Sequence, residues 1–137
     1  MKYLLIYLFV IISFSDFAQN DSQSILVSND QFKISYTTEN CIINKNLKPF
    51  EYGALTIVNK TDSALELGFN IVTYFEEGCN GCNGGDESQF FIQLKPNETY
   101  KASCSTENQS LFLINNPNFK DSWHFKSVKI EDLQILK

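Results

Sequence analysis

The densest run of side chains able to do chemistry is Glu76-Glu77-Gly78-Cys79-Asn80-Gly81-Cys82-Asn83-Gly84-Gly85-Asp86-Glu87. Two cysteines three positions apart, ringed by carboxylates, admit three readings. If Asn80-Gly81 makes a tight turn with positive φ, Cys79 and Cys82 come opposite one another, close enough to form a disulfide. The ring so closed is very small, so the bond stiffens the loop more than it stabilises the fold. Cys-x-x-Cys is also the spacing of thiol oxidoreductases, whose reactive thiol sits at a helix N-terminus that depresses its pKa. Here the flanks are glycine-rich and the neighbouring carboxylates would raise a thiol pKa, which is wrong for a nucleophile. In the third reading Glu76, Glu77, Asp86 and Glu87, with loop carbonyls, hold Ca²⁺, a cation that prefers oxygen ligands, although their spacing is not that of an EF-hand. Zinc on four thiolates would need Cys41 and Cys104 to converge on Cys79 and Cys82, and no second Cys-x-x-Cys is present to make that pattern. The disulfide is the reading adopted. Calcium binding by the acidic loop is the alternative, and thiol redox chemistry stands behind it.

Cys41 and Cys104 complete the even count of four. Four cysteines allow three pairings and the sequence does not choose among them; if the close pair joins itself, Cys41 and Cys104 remain for each other. The single histidine, His124, lies between Trp123 and Phe125. No Gly-x-Ser-x-Gly elbow or other nucleophile context accompanies it, so a surface or strand-edge histidine is expected, not a general base. No catalytic residue and no cofactor is assigned, and the chain is not expected to be an enzyme.

Composition narrows the partners. The net charge is −5, and all eleven basic residues are lysine. Without a basic stripe or a guanidinium fork there is nothing to hold a phosphate backbone, which argues against nucleic acid. At the N-terminus Lys2 precedes a nearly unbroken apolar run over residues 3–14, followed by polar residues and the small Ala18. That order of charge, apolar run and small residue predicts a signal peptide over residues 1–18, leaving no integral membrane segment after its removal. A dozen apolar residues is shorter than the ~20 that span a bilayer. Asp16, three residues before the cut, is the one departure from the pattern. Export to an oxidising compartment (periplasm, cell surface or medium) agrees with the cysteine count.

The elements that must carry these residues read as strands. Residues 19–31 are expected to be a flexible lead-in and residues 32–137 a single domain. Phe32, Ile34 and Tyr36 alternate with polar residues, Leu55 and Ile57 alternate with Thr56 and Val58 within 52–59, and Leu65, Leu67, Phe69 and Ile71 alternate with Glu66, Gly68 and Asn70 within 65–75. The cluster Asn59-Lys60-Thr61-Asp62-Ser63 suits a turn, so 52–59 and 65–75 are expected to form a hairpin. Further alternation covers Phe90, Ile92 and Leu94, then Tyr100, Ala102 and Cys104, then 111–115. In the last strand Val128 and Ile130 give way to Leu133 and Ile135, a slip of one residue at Glu131-Asp132 that predicts a β-bulge. Seven or eight such strands make an all-β, antiparallel, immunoglobulin-like sandwich, with a closed barrel as runner-up. The lone Trp123 follows the last cysteine, so the antibody-type Cys-Trp-Cys order is absent.

The segments 55–59 (Leu-Thr-Ile-Val-Asn), 69–71 (Phe-Asn-Ile), 79–82 (Cys-Asn-Gly-Cys) and 94–100 (Leu-Lys-Pro-Asn-Glu-Thr-Tyr), with Cys104, resemble a group of uncharacterised small secreted proteins of Bacteroidetes-type bacteria. The resemblance covers roughly the mature chain and implies a sandwich and an exported location; it carries no activity. Asp62-Ser63-Ala64 resembles the short O-glycosylation motif of such bacteria, which makes Ser63 a candidate for modification. The sequons at Asn59, Asn97 and Asn108 would stay plain in such a source. The expected function is a non-catalytic binding module for a protein or glycan ligand. Phe91, Tyr74, Phe75 and Trp123 are the aromatics that could meet that ligand, unless they pack inside.

Overall fold

The computed structural model describes residues 23–42, 45–85, 88–104, 110–117 and 123–136. The expected signal peptide and the sequon at Asn108 lie outside them. Nine strands run in the order β1 (Ser24–Ser28), β2 (Phe32–Cys41), β3 (Phe50–Asn59), β4 (Leu65–Phe75), β5 (Cys79–Asn80), β6 (Gln89–Leu94), β7 (Thr99–Lys101), β8 (Leu111–Asn115) and β9 (Phe125–Ile135). They build two antiparallel sheets. One joins β1, β2 and β3 side by side, with β7 and β8 sharing the far edge of β3; the other sets β9 on one side of β4 and both β5 and β6 on the opposite side. The sheets pair with each other nowhere among the described residues, so the arrangement is sandwich-like and not a closed barrel. No described helix is long and apolar enough to cross a membrane.

The inward residues are those the alternation points to. Phe32, Ile34, Leu55 and Ile57 from one sheet meet Leu65, Leu67, Phe69, Phe90 and Leu94 from the other. Burying these side chains supplies the main stabilisation. Two expectations about the chain path change. The supposedly flexible lead-in contributes β1, because Leu26 and Val27 find core surface to cover and Asn29 Oδ1 accepts the N–H groups of Gln31 and Phe32 to turn the chain into β2. And β3 and β4 do not form a hairpin: they lie in opposite sheets, joined by an arch over residues 60–64.

Asn59 explains the arch. Its side chain is 1% exposed and spends its amide on two carbonyls, Ser63 and Lys95, each at 2.8 Å. Its Oδ1 accepts from the backbone N–H and the hydroxyl of Thr61. Lys95 begins a second crossing, from β6 to β7, so one buried amide ties both arches together. With so many bonds made inside, Asn59 is closed to modification, while Ser63 is exposed on the arch.

The bulge in β9 is present where the phase slip places it. Gly68 faces Gln134 and Asn70 faces Glu131, so β9 carries one residue more than β4 across this stretch. Asp132 absorbs the extra residue at φ 51°, a left-handed conformation that Asp tolerates better than most residues.

Candidate functional site

The split edges of the two sheets leave a hollow of about 380 Å³ between them. Along β4, β6 pairs as far as Asn70 and β5 begins at Thr73, so the edge is interrupted at Ile71 and Val72. Across from this gap stands β8, which among the described strands is paired only with β3. The floor is apolar: Ile71, Phe75 and Phe112, with Leu111 and Leu113 on the β8 side. Thr73, Asn80, Ser88 and Gln89 supply hydroxyl and amide groups, and Trp123 walls one end. Apart from the bonded Cys79, no lining side chain among the described residues is ionisable. A hollow of this size and mixed lining matches the smaller ligand pockets of proteins.

The Cys-x-x-Cys loop shapes the second wall. Cys79 and Cys82 are bonded, with Cα atoms 6.0 Å apart, and Gly81 takes φ +84° between them. Gly81 is also pressed against β4: a Cβ there would stand 2.5 Å from the Ile71 carbonyl oxygen. The expected turn is therefore real, and it sits one step after another. The true hairpin link is Glu76-Glu77, where the Phe75 N–H donates to the Gly78 carbonyl and β5 runs back along β4. Cys79 belongs to β5, not to a helix N-terminus, so no helix dipole acts on its sulfur. The other bond joins Cys41 and Cys104, Cα atoms 5.7 Å apart. Cys104 lies past the end of β7; the inward phase of Tyr100 and Ala102 leads to it although the strand stops at Lys101.

Of the four carboxylates considered for calcium, Asp86 and Glu87 lie outside the described residues. Glu76 and Glu77 come together with His124, one ligand-type atom of each lying within 4.8 Å of the others. These three alone are fewer than the roughly six to eight oxygens calcium takes, and the rest of the expected set, Asp86 and Glu87, is not described. What the group does make is a clamp. Glu77 Oε1 lies 2.6 Å from His124 Nδ1, Glu77 Oε2 accepts the His124 backbone N–H at 2.9 Å, and the Glu76 N–H donates to the His124 carbonyl. The clamp holds the β4–β5 hairpin against the segment entering β9, next to Trp123. Trp123 meets Phe75 edge to face at 5.0 Å and stays 46% exposed. His124 is exposed as expected; its partner, 47 residues away, has no signal in the sequence.

The clamp is pH-sensitive by construction. The hydrogen bond and charge of Glu77, with a smaller push from Glu76, hold the imidazole above its ordinary 6.5 against a desolvation that opposes it. The hydrogen bonds from His124 hold the Glu77 carboxyl below its ordinary 4.5. The histidine contribution is fully present below pH 6.5 and is lost as pH rises through the raised value. The carboxylate contribution is present above pH 4.5 and is lost as pH falls through the lowered one. Trp123 emission and the His124 ring resonances are expected to change together on the alkaline side of 6.5. His124→Gln should abolish the emission step, and a step that persists in that variant would refute the clamp.

The four aromatics considered as ligand contacts do not gather into one patch. Phe75 is buried, Tyr74 is half-buried and donates its hydroxyl to Glu131, and Trp123 lines the hollow. Phe91 points away from Phe75 and Trp123, on the outer face of its sheet, which Tyr74 shares farther along β4. The polar wall of Thr73, Asn80, Ser88 and Gln89 was not legible in advance, since nothing in the sequence marks where β6 gives way to β5. Comparison with family models, curated proteins and solved structures gives no match to this chain.

Proposed function

We propose that this chain is an exported, non-catalytic interaction module of immunoglobulin-like build, acting at the cell surface or in the periplasm on a protein ligand. The observation that carries the reading is the hollow at the split edges: an aromatic and aliphatic floor and a rim of uncharged amides and hydroxyls, with no charged side chain among the described lining residues. Such a lining suits an inserted apolar side chain, the usual anchor of a protein contact. Two disulfides and the order of residues at the N-terminus support an oxidising, exported setting.

Trp123 is the only tryptophan, so its emission reports on the hollow without labelling. Hexapeptides selected by display against the intact protein are expected to share one apolar anchor residue and to shift that emission saturably. Phe75→Leu, which reshapes the floor under Trp123, should weaken the selected peptides about tenfold. A selection that yields only peptides without effect on Trp123 would remove the hollow as the ligand seat.

A further inference from the structure

A second hollow lies on the outer face of the β4 sheet, where register sets two rows of side chains. Phe91, Gly68 and Gln134 form one row across β6, β4 and β9; Gln89, Asn70 and Glu131 form the next. Because Gly68 has no side chain, the first row has a trough at its centre. The Phe91 ring leans into it, 3.0 Å from where a Cβ on Gly68 would stand, and Leu136 closes the other side at 3.5 Å. The hollow so formed measures about 310 Å³.

The bulge adds to this face. In a regular strand Asp132 would follow Glu131 by pointing to the opposite side. The left-handed turn at Asp132 instead keeps Leu133 on the core and brings the carboxylate out beside Asn70, whose amide donates to Asp132 Oδ2 at 2.7 Å. That bond orients both groups and leaves the Asn70 carbonyl oxygen and the second carboxylate oxygen able to accept. Such bulges commonly re-aim a side chain beside a site. Phe91, meanwhile, is 66% exposed, the most exposed large apolar side chain among the described residues.

We infer that this trough binds a neutral saccharide. An exposed ring offers a flat apolar surface to the C–H face of a pyranose. Around it Gln89, Asn70, Gln134 and Asp132 present planar donors and acceptors at the spacing of neighbouring strands, as ring hydroxyls require. Among the described residues the lining holds one carboxylate and no lysine, which favours an uncharged ligand over an acidic one. The site opens on the outer face of the sheet and shares only Gln89 with the described lining of the hollow at the split edges.

Native gel electrophoresis through soluble mixed-linkage β-glucan, xylan or galactomannan tests the inference, with polygalacturonate as the anionic control. At least one neutral polymer should retard the protein, and polygalacturonate should not. Phe91→Ala should weaken retardation at least tenfold. Gly68→Ala should do the same by driving the ring out of the trough, and Gln134→Ala should weaken it severalfold. Trp123→Phe should leave it unchanged, which separates this site from the protein-binding hollow. Gln134 is exposed on an edge strand, so its variant keeps the test open if either of the first two fails to fold. Absence of retardation by every neutral polymer, retention of wild-type retardation in Phe91→Ala or Gln134→Ala, or retardation by polygalacturonate alone would overturn the assignment.

Discussion

Replacing Cys41 and Cys104 together by alanine is expected to lower the unfolding free energy by about 4 kcal/mol, the loop-closure entropy of a ring this long. The two cysteines are 63 positions apart, and the bond between them ties the loop end of the β2–β3 hairpin to the chain leaving β7. Its effect falls mostly on the unfolded chain, which without it samples far more conformations. Cys41 is 1% exposed, so the substitution also removes buried contacts. Cys79 and Cys82, only three positions apart, close a ring for which the same reasoning gives roughly half as much. Urea unfolding of the wild type and the two double variants, without reductant, checks the ranking. The Cys41/Cys104 variant should also show a steeper denaturant dependence, as its unfolded state exposes more surface. A larger loss from the Cys79/Cys82 pair would contradict the account.

The second large effect is expected at Gly53. This glycine lies mid-strand in β3, directly opposite Phe112 of β8. A Cβ there would fall 2.0 Å from Phe112 Cζ and 2.3 Å from Cε2. The ring has little room to retreat, held edge-on by Tyr36 at 5.2 Å and stacked with Phe125 at 6.3 Å. Gly53→Ala should therefore cost about 3 kcal/mol, as overpacking of a filled core does, despite the better strand propensity of alanine. The diagnostic is non-additivity. Phe112→Ala should itself cost about 3–4 kcal/mol. In that background Gly53→Ala should cost close to nothing, giving a coupling of about 3 kcal/mol in a double-mutant cycle. Additive losses would mean that the glycine is required for its backbone and not for the space above it.

Both effects bear on function through position. Phe112 forms part of the floor of the hollow, and Gly53 lets it lie flat there. The Glu77–His124 clamp fixes the hairpin that forms the opposite wall. The same kind of glycine, Gly68, opens the trough on the outer face. In each place a strand forgoes a side chain so that an aromatic ring from the neighbouring strand can cover it.

How much of this was legible in the sequence depended on whether the cause was local. Period-two alternation locates β2, β3, β4, β6 and β9, because which face of a strand is buried shows in consecutive residues. The slip from Ile130 to Leu133 marks the bulge for the same reason. Gly81 marks its turn because no other residue adopts that φ as cheaply. The short β1 and β5 have too few residues for a pattern to emerge, and the lead-in over 19–31 looks polar until Leu26 and Val27 meet the core.

The arch between β3 and β4 is the clearest case of the other kind. A polar turn between two alternating strands fits a hairpin and an arch equally well, since both bury the same residues on the same faces. What distinguishes them is whether the strands pair edge to edge or stack face to face, and that rests on distant partners: β2, β7 and β8 for β3, and β5, β6 and β9 for β4. Asn59 illustrates it in one side chain, since two of its bonds reach Thr61, where a sequence pattern can find them, and a third reaches Lys95. The all-β class, the strand phases, the bulge and the Gly81 turn between Cys79 and Cys82 follow from neighbouring residues and burial. The hollow, the His124–Glu77 clamp and the ring over Gly68 required the tertiary structure, because each joins side chains whose proximity only the packing of the two sheets creates.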